Sequence, residues 1–205
     1  MFAAFIGIAA TSFGQAVRDR NVIPVAVNLN QVLRMTITNG GNIEFVFNTI
    51  DQYKAGLGGG GAAATNFYQS DFLIASSVRW SLNYGSETAT FIGTDNPANT
   101  LTLDNVGYEL ISNGAHTFGP ANQIVSAPTT DGSVIADLDA YPVLLMDDAG
   151  TATANAGDET DNDFTMIWRC GTTEGDMNAE FLIDQNPSPS PDRYVVNVLF
   201  ELMAK

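Results

Sequence analysis

The residues best suited to chemistry in this chain are carboxylates, crowded at Asp147-Asp148 and again over Asp158-Glu159-Thr160-Asp161-Asn162-Asp163. Such oxygens suit a hard cation, since Ca²⁺ takes roughly 6 to 8 oxygen ligands from Asp, Asn and backbone carbonyls. Asp147, Asp148, Asp158, Asp161 and Asp163 are therefore the candidate metal ligands. Their spacing departs from the EF-hand loop, because no glycine occupies the sharp-turn position after the acids. Repulsion among these groups leaves two outcomes open: a bound Ca²⁺, or an acidic loop splayed in water. Nothing else in the sequence calls for a cofactor.

The remaining chemical inventory is thin. His116 is the sole histidine, in the loop-like run Asn113-Gly-Ala-His-Thr-Phe-Gly-Pro120. A Ser-His-Asp triad needs one histidine, but no Gly-x-Ser-x-Gly elbow accompanies it. One His and one distant Cys cannot make up the usual zinc ligand set. Cys170 is the only cysteine, so no internal disulfide exists, and its apolar setting reads as a buried small hydrophobe. Lys54 and Lys205 are the only lysines, which leaves little to support a Lys–Asn isopeptide link. The run Ala55 to Asn66 is glycine-rich, yet no Lys-Ser/Thr follows it as a phosphate loop requires. A glycosidase would need only two carboxylates about 5 to 10 Å apart, a separation that sequence spacing does not define. The chain therefore reads as a non-enzyme.

Charge narrows the partners. There are 23 acidic residues against 8 basic, a net charge of −15, and no Lys or Arg lies between Arg79 and Arg169. Nucleic acid needs clustered Lys and Arg to neutralise phosphates, so it is excluded as a partner. An anionic membrane surface is disfavoured on the same ground.

The elements that must position these groups are strands. Apolar residues recur with period two, as in Val78, Trp80, Leu82 and Tyr84 against Arg79, Ser81 and Asn83. Strand expectations are Val22–Leu29, Gln31–Thr38, Asn42–Ile50, Phe72–Tyr84, Thr88–Ile92, Thr100–Leu103, Val106–Ser112, Tyr141–Met146, Phe164–Cys170 and Tyr194–Met203. Asn39-Gly40-Gly41 should turn the second of these into the third as a hairpin. No stretch of a dozen residues keeps a helical stripe. The expectation is an all-β, antiparallel β-sandwich of about ten strands with long polar loops. Trp80 and Trp168 fall inside strand patterns and should be core.

At the amino end, Met1–Phe13 is uncharged and apolar and closes on Ser12-Phe13-Gly14 before Gln15. Small residues three before and one before a scissile bond are what signal peptidase reads. The run is shorter than the roughly 20 residues that span a bilayer. Residues 1–14 are expected to be a removed leader, and 15–205 a single sandwich domain with an extended segment at 15–30. No membrane insertion is expected after processing.

The leader ending before Gln15, Val22-Ile-Pro-Val-Ala-Val-Asn-Leu-Asn, Thr38-Asn-Gly-Gly-Asn-Ile-Glu-Phe-Val-Phe and Asp104-Asn-Val-Gly-Tyr together resemble exported surface β-sandwich proteins of Bacteroidota-type bacteria. The resemblance implies an extracellular or cell-surface location and a structural role, with no catalytic residues to transfer.

Two function classes follow. One is a surface subunit that associates with copies of itself by strand sharing, in a pilus-like filament or layer. Pro24 cannot donate to a ladder, which puts its segment at a sheet edge or outside the parent fold. Tyr194–Met203 is apolar on both faces and needs a partner. The candidate assembly residues are Val22, Ile23, Val25, Val27 and Leu29 with Val196, Val198 and Phe200. The other class is a monomeric secreted glycan-recognition module or glycan hydrolase, for which Tyr53, Phe67, Tyr68 and Phe118 are the available loop aromatics.

Overall fold

Phe72, Ile74 and Ser76 are buried while Leu73 and Ala75 between them are only partly covered, the period-two signature of a strand with one face on a core. The same alternation recurs at Phe164, Met166 and Trp168. A computed structural model describes residues 23–58, 68–119, 121–126, 135–150 and 155–205. The expected leader, Val22 and residues 59–66 of the glycine-rich run lie outside the described residues. The chain divides into two units, Met1–Asn30 and Gln31–Lys205.

In the first unit, residues 23–30 carry no regular secondary structure and every side chain is exposed. The strand expected over Val22–Leu29 is therefore not formed. Its backbone enters no hydrogen bond among the described residues, so nothing there closes a ladder.

The second unit is an all-β sandwich of three antiparallel sheets. The first sheet has the order β1-β2-β10-β6-β8 (Leu33–Asn39, Gln69–Ser76, Asp163–Cys170, Val106–Ser112, Ala136–Asp137). The second is β12-β3-β9-β7 (Val198–Ala204, Trp80–Ser86, Val143–Asp148, Ile124–Ser126). The third is small, β11-β4-β5 (Tyr194–Val195, Thr90–Gly93, Thr100–Thr102). Rings from the first two sheets meet between them: Trp80 against Phe164 at 6.2 Å, Tyr84 against Tyr108 at 5.2 Å, and Phe200 against Phe72 at 6.0 Å. Both tryptophans are buried, as the strand pattern requires. The indole N–H of Trp168 donates to Ser70 Oγ at 3.0 Å.

Three local expectations need correction. The hairpin around Asn39-Gly40-Gly41 does not form. β1 pairs instead with β2, from Leu33 opposite Ser76 to Asn39 opposite Asp71. Gly40 does turn the chain, with φ of +65°, and packs so closely on Gln69 that no side chain would fit. Ile43–Phe47 follows with side chains alternately half-buried and exposed, but without a ladder partner among the described residues. Secondly, Phe72–Tyr84 is two strands. Ser76 Oγ accepts from the Val78 N–H at 3.2 Å and breaks the run, so the chain crosses from the first sheet to the second. Thirdly, Tyr194–Met203 splits into β11 and β12, whose outward residues Leu199 and Met203 stay exposed.

A short helix, α1 (Ile50–Ala55), also forms where none was expected. Thr49 and Gln52 make a capping box: the Gln52 N–H donates to Thr49 Oγ1, and the Thr49 N–H to Gln52 Oε1. Thr-x-x-Gln is the local signal for it. The adjacent Gly56 and Gly58 serve close backbone approach, since a Cβ at either would collide with the backbone at or just beyond the end of β10. Leu57 and Cys170 exchange backbone hydrogen bonds at 2.7 and 2.8 Å.

Candidate assembly site

Alternation places Ile43, Phe45 and Phe47 inward, half-buried, while Glu44, Val46 and Asn48 face out. The inward rings are fixed by their neighbours: Phe45 stacks on Tyr68 at 4.5 Å, and Phe47 on Tyr53 at 5.2 Å. Among the described residues, the backbone groups of residues 43–47 have no hydrogen-bond partner. An extended segment with free N–H and C=O groups is a template for another strand.

This segment forms one wall of a cleft of about 810 Å³. β1 contributes Met35 and Ile37, while the chain around β11 and β12 contributes Val196, Val198 and Phe200. Phe72 and Trp168 also line it. β1 and β12 are the outermost strands of their sheets and lie against each other. The cleft thus opens on the side where neither sheet has a further strand. Around it the apolar side chains Ile37, Val46 and Val195 are exposed.

The rim is polar and well ordered. Asp192 accepts the backbone N–H of Asp95 at 3.0 Å, of Asn96 at 3.1 Å and of Arg193 at 2.7 Å, and the Asn99 amide at 2.9 Å. These donors, the Asp95 amide foremost, hold its carboxyl below the ordinary carboxylate range. Arg193 Nε donates to Glu44 at 3.1 Å, which ties the 42–47 segment to the chain ahead of β11. Of the expected assembly residues, Val196, Val198 and Phe200 come together in this cleft. Ile23, Val25, Val27 and Leu29 are 78 to 89% exposed, and Val22 lies outside the described residues.

The carboxylates expected to hold Ca²⁺ separate into different surroundings. Asp147 and Asp148 end β9, where Lys205 Nζ sits 2.5 Å from Asp147 and 3.3 Å from Asp148. The hydrogen bond that Lys205 donates to Asp147 raises the Lys205 pKa. Arg79 stands 3.7 Å from Asp148, whose side chain is buried. Asp158 accepts the N–H groups of Thr160 at 2.8 Å and Asp161 at 3.2 Å, which lowers its pKa. Asp161 accepts from the Asp158 N–H, and Asp163 opens β10 beside Asn113. Among the described residues, no three His, Cys, Asp or Glu side chains gather as a metal site.

His116 binds Asn162 Oδ1 through Nδ1 at 3.0 Å, and its N–H donates to the Asp161 carbonyl. Its ring thereby ties the 113–118 loop to the turn ahead of β10. Cys170 is buried, and desolvation pushes its thiol up to about 12, so it is no nucleophile at neutral pH. Tyr53 and Tyr68 are stacked as above, and Phe118 packs on Phe164 at 6.0 Å. Phe67 lies outside the described residues.

No helix among the described residues is long and apolar enough to cross a membrane. What fold and site define together is an all-β sandwich with an apolar lateral cleft. No protein-family model and no curated protein matches the chain.

Proposed function

We propose that this protein is an extracellular structural subunit that associates with copies of itself by strand sharing, in a pilus-like filament or surface layer. The observation that carries the reading is the segment Ile23–Leu29. It exposes four apolar side chains at every second position, on a backbone with no hydrogen-bond partner among the described residues. Leaving so much apolar surface in water is unfavourable by about 25 cal/mol per Å², and such surface marks an interaction site. A strand added to a neighbour satisfies backbone and side chains together. Head-to-tail addition does not close on itself, so it propagates as a filament. The activity is mechanical, with other copies as partners and no catalytic residue involved. The leader expected at residues 1–14 supports a location outside the cell.

Negative-stain microscopy and light scattering of the processed protein test this. Polymers are expected, and removal of residues 15–28 should leave folded subunits that no longer polymerise. Monomers at high concentration would overturn the proposal.

A further inference from the structure

We infer that the cleft walled by residues 42–47 is the acceptor site, and that its occupant is the segment 22–30 of a second copy. The inference rests on the strand-sharing reading above and assigns its geometry. Several edges could in principle accept a strand, including those of β5, β7 and β8, the outermost strands at the other ends of their sheets. The 42–47 segment differs from them in three ways.

Its side chains alternate inward and outward as on a strand, yet its backbone from 43 to 47 is unpaired among the described residues, so it offers a row of donors and acceptors. Its inward residues already line an apolar cleft, so a strand laid beside it places alternate side chains over Phe45, Val198 and Phe200. Its length also suits the donor. Ile23–Leu29 extends for about 20 Å at the usual rise per residue, comparable to the run from Asn42 to Phe47. Pro24, which cannot donate, then falls on the outward-facing set with Ala26 and Asn28, where a missing N–H can be tolerated at an edge.

Charge agrees with this pairing. Arg18 and Arg20 precede the donor, whereas 22 of the 23 acidic residues follow Asn30. Glu44 and Asp192 stand on the cleft itself. Asp19 lies between the two arginines, and Arg193 stands beside Glu44 and Asp192. The donor's head is thus net positive and the rim net negative by one charge each, a modest complementarity that favours the encounter between copies.

The geometry fixes the test. With Ile23, Val25, Val27 and Leu29 facing the cleft, Ala26 and Asn28 share the outer face with Glu44, Val46 and Asn48. Residues opposite each other in an antiparallel pair lie within disulfide reach. One full-length chain carries Ala26→Cys or Asn28→Cys, and a second, distinguishable by mass, carries Glu44→Cys, Val46→Cys or Asn48→Cys. The two are co-assembled and oxidised. A disulfide between copies at one of these pairs is expected, with none to Met203→Cys on the exposed face of β12. Polymers that form without any link to positions 44, 46 or 48 overturn this site but leave strand sharing intact. Monomers in light scattering overturn both. A link formed within a single monomeric chain carrying both cysteines places the segment on its own sandwich, and overturns the inference as well.

Discussion

Trp80 and Asn155 hold each other by three hydrogen bonds in the buried interior. The Trp80 N–H donates to Asn155 Oδ1 at 3.1 Å, Asn155 Nδ2 donates to the Trp80 carbonyl at 2.8 Å, and the indole N–H donates to the Asn155 carbonyl at 2.8 Å. Neither residue is exposed. The side chain of Asn155 thus acts as a ladder partner for the first residue of β3.

Asn155→Leu keeps the volume but strands the Trp80 N–H and C=O without partners. Each buried unsatisfied group costs about 1 to 3 kcal/mol, so a loss on the order of 2 to 4 kcal/mol is expected in urea unfolding. Trp80→Ala should cost roughly 3 to 5 kcal/mol through the cavity it leaves. A loss below 1 kcal/mol for Asn155→Leu would remove this pair from the account of stability.

Placing a charge on the exposed apolar face separates assembly from folding. Val25→Asp and Val27→Asp alter side chains that are 84 and 78% exposed, so the thermal midpoint of the subunit should move little. Assembly should fall at least tenfold, because a carboxylate would have to be buried in the cleft without a partner. Sedimentation of wild type and both variants checks this. Polymers of normal length from Val25→Asp would count against the donor face.

Asp192 organises the cleft rim, and its effect depends on pH. Its folded carboxyl titrates below the ordinary value of 3.8 because four N–H donors favour the charged form. The rim is therefore fully held above that value, and the hold is lost as pH falls through the lowered folded value. Asp192→Asn should mimic this at neutral pH. Faster amide exchange is expected at Asp95 and Asn96, with the exchange of β10 unchanged. Unaltered exchange at Asp95 would show that another group holds the loop.

Lys205 supplies a cation at the end of β9. Lys205→Met leaves Asp148 with Arg79 and removes the cation beside Asp147, and a partly exposed pair of this kind is worth roughly 0.5 to 1 kcal/mol. The deficit should shrink in high salt. Wild-type melting is expected to be the same in EDTA and in millimolar Ca²⁺, since the ammonium already faces both carboxylates. A midpoint that falls in EDTA would instead return a divalent cation to this acidic region.

Strand identity was largely legible in the sequence, because period-two burial needs only local spacing. Val106–Ser112 matches β6 residue for residue, and Phe164–Cys170 differs from β10 by one. Both tryptophans were placed correctly on the same ground. The sequence also marked Val22–Leu29 and Tyr194–Met203 as apolar segments in want of a partner. β7 and β8 escaped notice, being only three and two residues long, too short for any alternation to register. Pairing partners were beyond local reading. Asn39-Gly40-Gly41 is good hairpin chemistry, yet β1 takes β2 as its neighbour across the 29 residues 40–68, since the register that packs half-buried Met35 on the core is settled by the core and not by the turn. The cleft was hidden for the same reason. Met35, Phe45, Trp168 and Phe200 are scattered along the chain, and only the packing of sheets with two open edges brings them around one cleft. Alternation along a strand is a property of the covalent chain. Which edges remain open is a property of the whole fold.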